Sequence, residues 1–312
     1  MTGNEVRAET TPSWVARHAT LTFAMSALLA SYAALGLMIL VDRGHLPGRS
    51  IPSRIGSDME EVSSLVLVLV LLATTITVTR LVDGPAGVRA LLSRATRWRA
   101  GWAWWLTAVA AVPAATVGLA AVLGDEVVAP TPAALVDELV AAVVALLLVN
   151  VAEEATWAGF LQTRLERVHG LLVAAVLTAL PFALVHLPIR VVAREIDDPA
   201  QLVPQLAVLM VLGTVIRVLL GGVMRGAGNS LLVVAAAHTS FNRSNNVDGL
   251  AADLLVGEAR TLAALLAAVV VATLVLVALR GRLGRADRDR LDAAESRRET
   301  LDSIPPRGMV GP

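Results

Sequence analysis

Five polar side chains lie in stretches of this sequence that are otherwise apolar. They are Glu153 and Glu154 in N-V-A-E-E-A-T-W-A-G-F-L-Q, His186 in L-P-F-A-L-V-H-L-P, and His238 and Asn242 in A-A-A-H-T-S-F-N-R. An ionisable side chain in hydrocarbon costs at least ~2.5–3.5 kcal/mol even on insertion scales. Residues of this kind are therefore candidates for function.

The residue types in these stretches suit the hydrolysis of an amide bond. A desolvated glutamate beside a histidine can hold a water molecule and remove its proton. His238 and Asn242 are one helical turn apart, so both can donate hydrogen bonds to a developing oxyanion. Such a set needs no covalent intermediate, although the same side chains could instead bind a divalent metal such as zinc. The sequence has no H-E-x-x-H pattern, which excludes a standard zincin.

The two adjacent glutamates are expected to play different parts. Neighbouring residues project about 100° apart around a helix axis. We therefore expect the carboxylate of Glu153 or of Glu154 to face the site, and the other carboxylate to need a separate partner.

The elements that position these residues are expected to cross a membrane. Hydrophobic residues make up 56% and charged residues 17% of the 312 residues, against about 45–50% and about 25% in a soluble domain. The formal net charge is +0, which gives no indication of a nucleic-acid partner. The chain has no cysteine, which excludes thiolate catalysis and Cys-ligated zinc.

A transmembrane helix needs roughly 20 mostly apolar residues, and the charge-poor intervals predict an all-α, polytopic membrane bundle of about eight such helices. The predicted spans are 18–41, 62–79, 100–124, 139–161, 170–189, 199–216, 226–242 and 261–279.

The segments outside the predicted membrane domain (17–280) are polar. Residues 1–16 are predicted to be a disordered leader, and 281–312 a largely disordered tail. Arginines cluster between the second and third spans and again after the eighth, so the positive-inside rule predicts that both termini are cytoplasmic. The expected location is a bacterial plasma membrane, and the expected partners are the lipid bilayer and a membrane-associated peptide or protein substrate.

Three motifs occur in order on the fourth, fifth and seventh predicted spans. They are E-E-A-T-W-A-G from Glu153, F-A-L-V-H ending at His186, and H-T-S-F-N from His238 to Asn242. Over roughly residues 135–245 this set resembles the CPBP family. That family includes CAAX-prenyl endopeptidases and the bacteriocin-processing or bacteriocin-immunity proteins of the Abi group.

The resemblance implies an intramembrane endopeptidase in which Glu153 and His186 position and activate the attacking water. It further implies that His238 and Asn242 stabilise the oxyanion, and that Glu154 is a structural or auxiliary acid. Glu153, His186 and His238 would be the ligands of a divalent metal, and the resemblance leaves open whether a metal is used at all.

One motif position departs from the family pattern. The pattern E-E-x-x-x-R-G has an arginine where this sequence has Ala158. Glu154 therefore lacks its local counter-charge, and the sequence allows three explanations. Arg217 or Arg164 compensates, Glu154 is protonated, or the site has lost its activity.

Other interpretations of the same residues stay open at this point. The glutamates could be a structural pair, His186 an interfacial residue, and the pair His238 and Asn242 an interhelical hydrogen-bonding contact. Arg217 is expected to be snorkelling or structural. The alternative functions are a non-catalytic scaffold or immunity protein of the same fold, or a transporter with buried carboxylates.

The helix ends predicted from the sequence place two candidate residues at different depths in the membrane. At 1.5 Å per residue, Glu153 lies about 12 Å from the predicted helix end at Leu161. His186 lies about 22 Å from the predicted start of its helix at Leu171. The structure has to close this gap of about 10 Å if the two side chains meet.

Overall fold

The structure is a computed structural model that describes residues 14–47 and 59–280. The predicted tail (281–312) and most of the predicted leader lie outside the described residues. A helical turn at Trp14–Arg17 begins inside the predicted leader.

The described residues confirm the predicted all-α membrane bundle. A two-stranded antiparallel ribbon pairs β1 (Glu126–Val127) with β2 (Leu255–Val256). The helices are α1 (Ala19–Asp42), α2 (Met59–Ala95), α3 (Trp102–Val122), α4 (132–169), α5 (171–192), α6 (Leu202–Gly226), α7 (Leu231–Asn245), α8 (Leu250–Leu254) and α9 (Arg260–Arg280).

Six helical segments of the described residues are long and apolar enough to cross a membrane. One of them, Pro132–Val192, is broken at Gly170 and contains the predicted fourth and fifth spans as α4 and α5. The seventh predicted span corresponds to α7, which has 15 residues and is shorter than a usual span. The count of eight therefore stays a prediction.

The predicted boundary between the sixth and seventh spans is wrong. The sixth was expected to end at Ile216, but α6 continues through Arg217 to Gly226. The reason is that the Arg217 side chain is fully buried against a partner, so its charge does not end the helix at a membrane surface. The next helix begins at Leu231, where the Ser230 hydroxyl accepts a hydrogen bond from the Val233 backbone N–H.

Large apolar side chains cover the outer surface of the bundle. Leu29, Leu139, Leu148 and Leu274 are each more than half exposed. In water, a continuous exposed apolar surface would be unusual for a folded protein. Against lipid tails it is the expected solution, because the backbone polar groups are satisfied within each helix.

The break at Gly170 removes the mismatch in level between Glu153 and His186. The fourth predicted span was expected to end at Leu161, but α4 remains helical to residue 169. Glu153 thus precedes Gly170 by about as many residues as His186 follows it. Because α4 and α5 pack together after this break, the two side chains lie at the same level, and the predicted end of span four is wrong.

α6 approaches α5 closely at a glycine. A Cβ atom on Gly213 would lie 3.1 Å from Phe182 Cδ1 and 3.5 Å from Ala179 Cβ, so the two helices are in close contact here and a larger residue would require the Phe182 ring to shift. Arg217 is one turn further along α6, with its guanidinium carbon 5.3 Å from the centre of the Phe182 ring. The small residue therefore allows α6 to bring Arg217 to the middle of the bundle.

Gly170 is expected to tolerate no side chain without loss of stability. Its φ of 75° and ψ of 172° lie in a region that essentially only glycine adopts. We expect Gly170→Ala to cost about 1–3 kcal/mol, measured as a lower Tm in detergent. The matched control is Gly36→Ala in α1, where a Cβ would meet nothing within 4 Å and the helical backbone is ordinary. Equal Tm values for the two variants would contradict the role given to Gly170.

Candidate active site

α4 changes its winding on both sides of the two glutamates. Glu153 and Glu154 end a short α-helical segment, Val151–Glu154, which lies between π-helical segments at Ala145–Asn150 and Ala155–Gln162. π-helical turns are rare and are found most often at functional sites. Glu153 is 7% exposed and Glu154 is 0% exposed, so both carboxylates are removed from bulk solvent.

Glu153 lies between the two predicted histidines. Its Oε1 atom is 3.8 Å from Nε2 of His186, and its Oε2 atom is 3.7 Å from Nδ1 of His238. Both distances exceed a direct hydrogen bond and fall where one water molecule can intervene. The structure therefore brings together three of the residues that the sequence predicted, from α4, α5 and α7.

The orientation of the His186 ring follows from its own helix. Nδ1 of His186 lies 2.7 Å from the backbone oxygen of Phe182, one turn earlier. A carbonyl oxygen can only accept, so Nδ1 carries a proton, and in the neutral imidazole Nε2 then presents a lone pair toward Glu153. The F-A-L-V-H motif itself therefore holds the His186 ring, through the Phe182 carbonyl. This differs from the alternative in which His186 is an interfacial side chain.

Glu154 contacts the same histidine as Glu153. Its Oε1 atom is 2.8 Å from Nδ1 of His238, closer than Glu153 is. The expectation that only one of the adjacent carboxylates faces the site is therefore wrong, whereas the expected separate partner exists, because Glu154 also pairs with Arg217. The physical reason is that both side chains are long, so they reach one imidazole although their Cα–Cβ bonds point in different directions.

Arg217 supplies the counter-charge that Ala158 cannot supply. Its Nη1 and Nη2 atoms donate to the Glu154 carboxylate at 2.9 and 2.7 Å, and both side chains are 0% exposed. Arg217 is therefore structural and does not snorkel. Arg164 contacts Asp83 at the edge of the bundle, so it is not the compensating cation. In the family motif the counter-charge is an arginine one turn further along the same helix, at the position of Ala158. Here the counter-charge is Arg217, which comes from α6.

This pair also decides the proton on His238. A carboxylate that receives two guanidinium hydrogen bonds is ionised and can only accept. Nδ1 of His238 therefore donates to Glu154, and Nε2 is the ring nitrogen that remains for a substrate.

The side chain of Asn242 contacts Asn150, a residue that sequence reasoning missed. Its Nδ2 atom donates to Oδ1 of Asn150 at 3.4 Å, and Nδ2 of Asn150 donates to the Thr239 hydroxyl at 2.8 Å. Asn150 is 1% exposed. The signal was present, since Asn150 is a polar residue in an apolar run, three positions before Glu153 and thus on the same helix face.

The three candidate metal ligands do not fit a three-ligand metal site as they are arranged. Nε2 of His186 is suitably held, because ligating histidines usually donate their other nitrogen to a carbonyl or carboxylate. Nδ1 of His238 is held by Glu154, so Nε2 would be its ligating atom, but the ring nitrogen that faces Glu153 is Nδ1, at 3.7 Å. Glu153 and His186 alone are fewer than the three protein ligands that catalytic zinc usually takes. In the described part of the chain no cluster of at least three His, Cys, Asp or Glu is arranged to hold a metal. A requirement for metal stays a prediction.

The Glu154–Arg217 pair is expected to be a strong determinant of stability. Arg217→Met leaves a buried carboxylate without its partner, which costs about 3–5 kcal/mol. Replacing both partners, in Glu154→Leu/Arg217→Met, is expected to recover much of that loss, because no charge is left buried. Thermal unfolding in detergent measures both effects.

The matched control for this pair is Arg164→Met. The Arg164–Asp83 pair is partly exposed, with side-chain exposures of 19% and 39%, so its loss is expected to cost only about 1 kcal/mol or less. A double variant less stable than Arg217→Met alone would contradict the interpretation of a buried, charge-compensated pair.

Comparison with known proteins shows a family similarity over part of the chain. Residues 135–244 match the family described as type II CAAX prenyl endopeptidase, Rce1-like. No match was found among curated proteins or among solved structures. The matched segment contains Glu153, Glu154, His186, His238 and Asn242, together with Arg217. Residues 135–244, about a third of the chain, are therefore similar to the type II CAAX prenyl endopeptidases of the Rce1-like family, in agreement with the resemblance found from the motifs.

Proposed function

We propose that this protein is an intramembrane endopeptidase that cleaves a peptide bond of a membrane-associated substrate with a water molecule activated by Glu153. The observation that carries the proposal is the approach of the buried Glu153 carboxylate to Nε2 of His186, at 3.8 Å. A lone pair on each atom faces the other, and both groups can accept a proton. A water molecule between them would donate one hydrogen to each.

The proposed reaction begins when the Glu153 carboxylate removes a proton from this water. The oxygen attacks the peptide carbonyl carbon, and the C=O electron pair moves to the oxygen to give a tetrahedral oxyanion. When the oxyanion collapses, the C–N bond breaks, and the proton held by Glu153 passes to the leaving amine. Every proton is returned within the site, and no covalent enzyme intermediate forms.

His238 and Asn242 are the proposed stabilisers of the oxyanion. As an imidazolium, His238 donates to it from Nε2, while Nδ1 is held by the Glu154 carboxylate. The carboxamide of Asn242 provides an N–H donor from one turn further along α7. Such donors are worth about 2.7–4 kcal/mol each when aimed at the developing charge.

The alternative functions make different predictions. The non-catalytic scaffold or immunity protein was suggested by the missing motif arginine, and the contact between Arg217 and Glu154 supports an intact charge arrangement instead. The buried carboxylates of Glu153 and Glu154 would also suit a transporter, so that interpretation stays open. Both alternatives are outcomes of the following experiment.

Cleavage is expected to depend on Glu153. Wild type and Glu153→Gln are reconstituted in proteoliposomes with a pool of membrane proteins and, in parallel, a farnesylated CAAX peptide. New N-termini are counted by mass spectrometry. Because glutamine is isosteric but cannot take up a proton, we expect at least about a 10²-fold loss. The control is Glu61→Gln, an exposed glutamate at the start of α2.

The two substrates and a chelator separate the possible outcomes. Cleavage that survives the chelator but not Glu153→Gln supports a glutamate-activated water, and additional loss with the chelator supports a metal. Cleavage of the pool but not of the farnesylated peptide supports a protease with another substrate class. If wild type and Glu153→Gln give the same N-termini, the protease proposal fails in favour of the scaffold or transporter.

Asn242→Ala is expected to lower kcat about 10²–10³-fold, the usual effect of removing one oxyanion donor. The KM should change little, because the donor acts on the transition state more than on the bound substrate. The control is Asn246→Ala, an exposed residue just after α7. An increase in KM without a decrease in kcat would contradict the role given to Asn242.

A further inference from the structure

We infer that Asn150 is a positioning residue that fixes the orientation of the Asn242 carboxamide. This inference rests on the proposed function, in which Asn242 is an oxyanion donor. Asn150 is outside the three motifs that carry the family resemblance. It is buried in the π-helical segment of α4. Both polar atoms of its carboxamide, Nδ2 and Oδ1, contact side chains of α7.

The direction of each hydrogen bond in this group follows from one helix carbonyl. The Thr239 hydroxyl donates to the backbone oxygen of Ala235 at 2.9 Å, which uses its only hydrogen. Toward Asn150 the same hydroxyl can therefore only accept. Asn150 must turn its NH₂ group toward Thr239, so its carbonyl oxygen faces Asn242.

The orientation of Asn242 is then determined as well. The oxygen of Asn150 can only accept, so the group that Asn242 turns toward it, at 3.4 Å, must be NH₂ rather than oxygen. One N–H of Asn242 is used in this contact and the second remains for an oxyanion. Without Asn150, the carboxamide of Asn242 could rotate by half a turn and present its oxygen, which would repel the developing negative charge.

The length of the Asn150–Asn242 contact suits a positioning role. At 3.4 Å the hydrogen bond is long, and catalytic contacts commonly shorten only when a substrate is bound. In contrast, the Asn150–Thr239 contact is 2.8 Å and buried, so the Asn150 side chain is already held on the α7 side. The chain Ala235–Thr239–Asn150–Asn242 begins and ends on α7 and crosses to α4 only at Asn150.

The experiment is a double-mutant cycle between Asn150 and Asn242, measured as kcat and KM on the best-cleaved substrate in proteoliposomes. Asn150→Ala in the wild-type background is expected to lower kcat about 10- to 100-fold with little change in KM. In the Asn242→Ala background the same substitution should lower kcat less than about threefold, because its target is already absent. An equal loss in both backgrounds would overturn the inference.

Two further variants test the direction of the hydrogen bonds. Thr239→Val removes the anchoring hydroxyl with little change of volume, and should lower kcat in the same way as Asn150→Ala. Thr239→Ser restores the hydroxyl and should recover kcat relative to Thr239→Val. If serine and valine at this position give the same kcat, the proposed chain of hydrogen bonds is wrong.

A measurement without substrate separates failure of this inference from failure of the proposed function. The Tm in detergent is compared for Asn150→Ala, Asn242→Ala and the double variant. Because residues in contact are not additive, we expect the double variant to lose less Tm than the sum of the two single losses. Additive Tm losses would overturn the contact itself, whatever the activity. Equal cleavage by wild type and Glu153→Gln would overturn the proposed function and, with it, the role of Asn150.

Discussion

The buried ion pair between Glu154 and Arg217 is the interaction on which the rest of the site depends. Neither side chain has any exposed surface, and two hydrogen bonds join them. Because the pair is shielded from bulk solvent, the loss of either partner would leave a buried charge without compensation. α4 and α6 must therefore meet at this level, and Gly213, one turn before Arg217, is where α6 lies in close contact with α5.

The same constraint extends to the proton positions around the site. Because bulk water is excluded, each donor and acceptor takes its direction from a neighbour that cannot change. His186 is directed by the Phe182 carbonyl, His238 by the Glu154 carboxylate, and the Asn150 amide by the Thr239 hydroxyl. Glu153 is the exception, since both of its nearest partners are beyond direct hydrogen-bond distance. A carboxylate that is not held by a direct hydrogen bond to these partners is free to exchange a proton with a water molecule, which is what a general base requires.

The amino-acid sequence by itself determined the class of the protein and most of the candidate residues. The apolar runs required membrane helices, because no soluble core could bury so much apolar surface. Within those runs Glu153, His186 and His238 were recognisable, since an ionisable side chain in hydrocarbon is expensive and rarely accidental. The motif spacing also indicated a resemblance to a family, and residues 135–244 match the model of an Rce1-like family.

Only the tertiary structure decided which side chains became partners. Arg217 is distant from Glu154 in sequence and interrupts an apolar run, so the pattern predicted a helix end where the fold has a buried counter-ion. The levels of Glu153 and His186 depended on where the chain turns, which the backbone of Gly170 sets and hydropathy does not. Asn150 carried a weak signal, because an uncharged amide in a helix can be satisfied in many ways. In each case the deciding quantity is a contact between helices, and a local pattern of residues contains no information about which helices lie side by side.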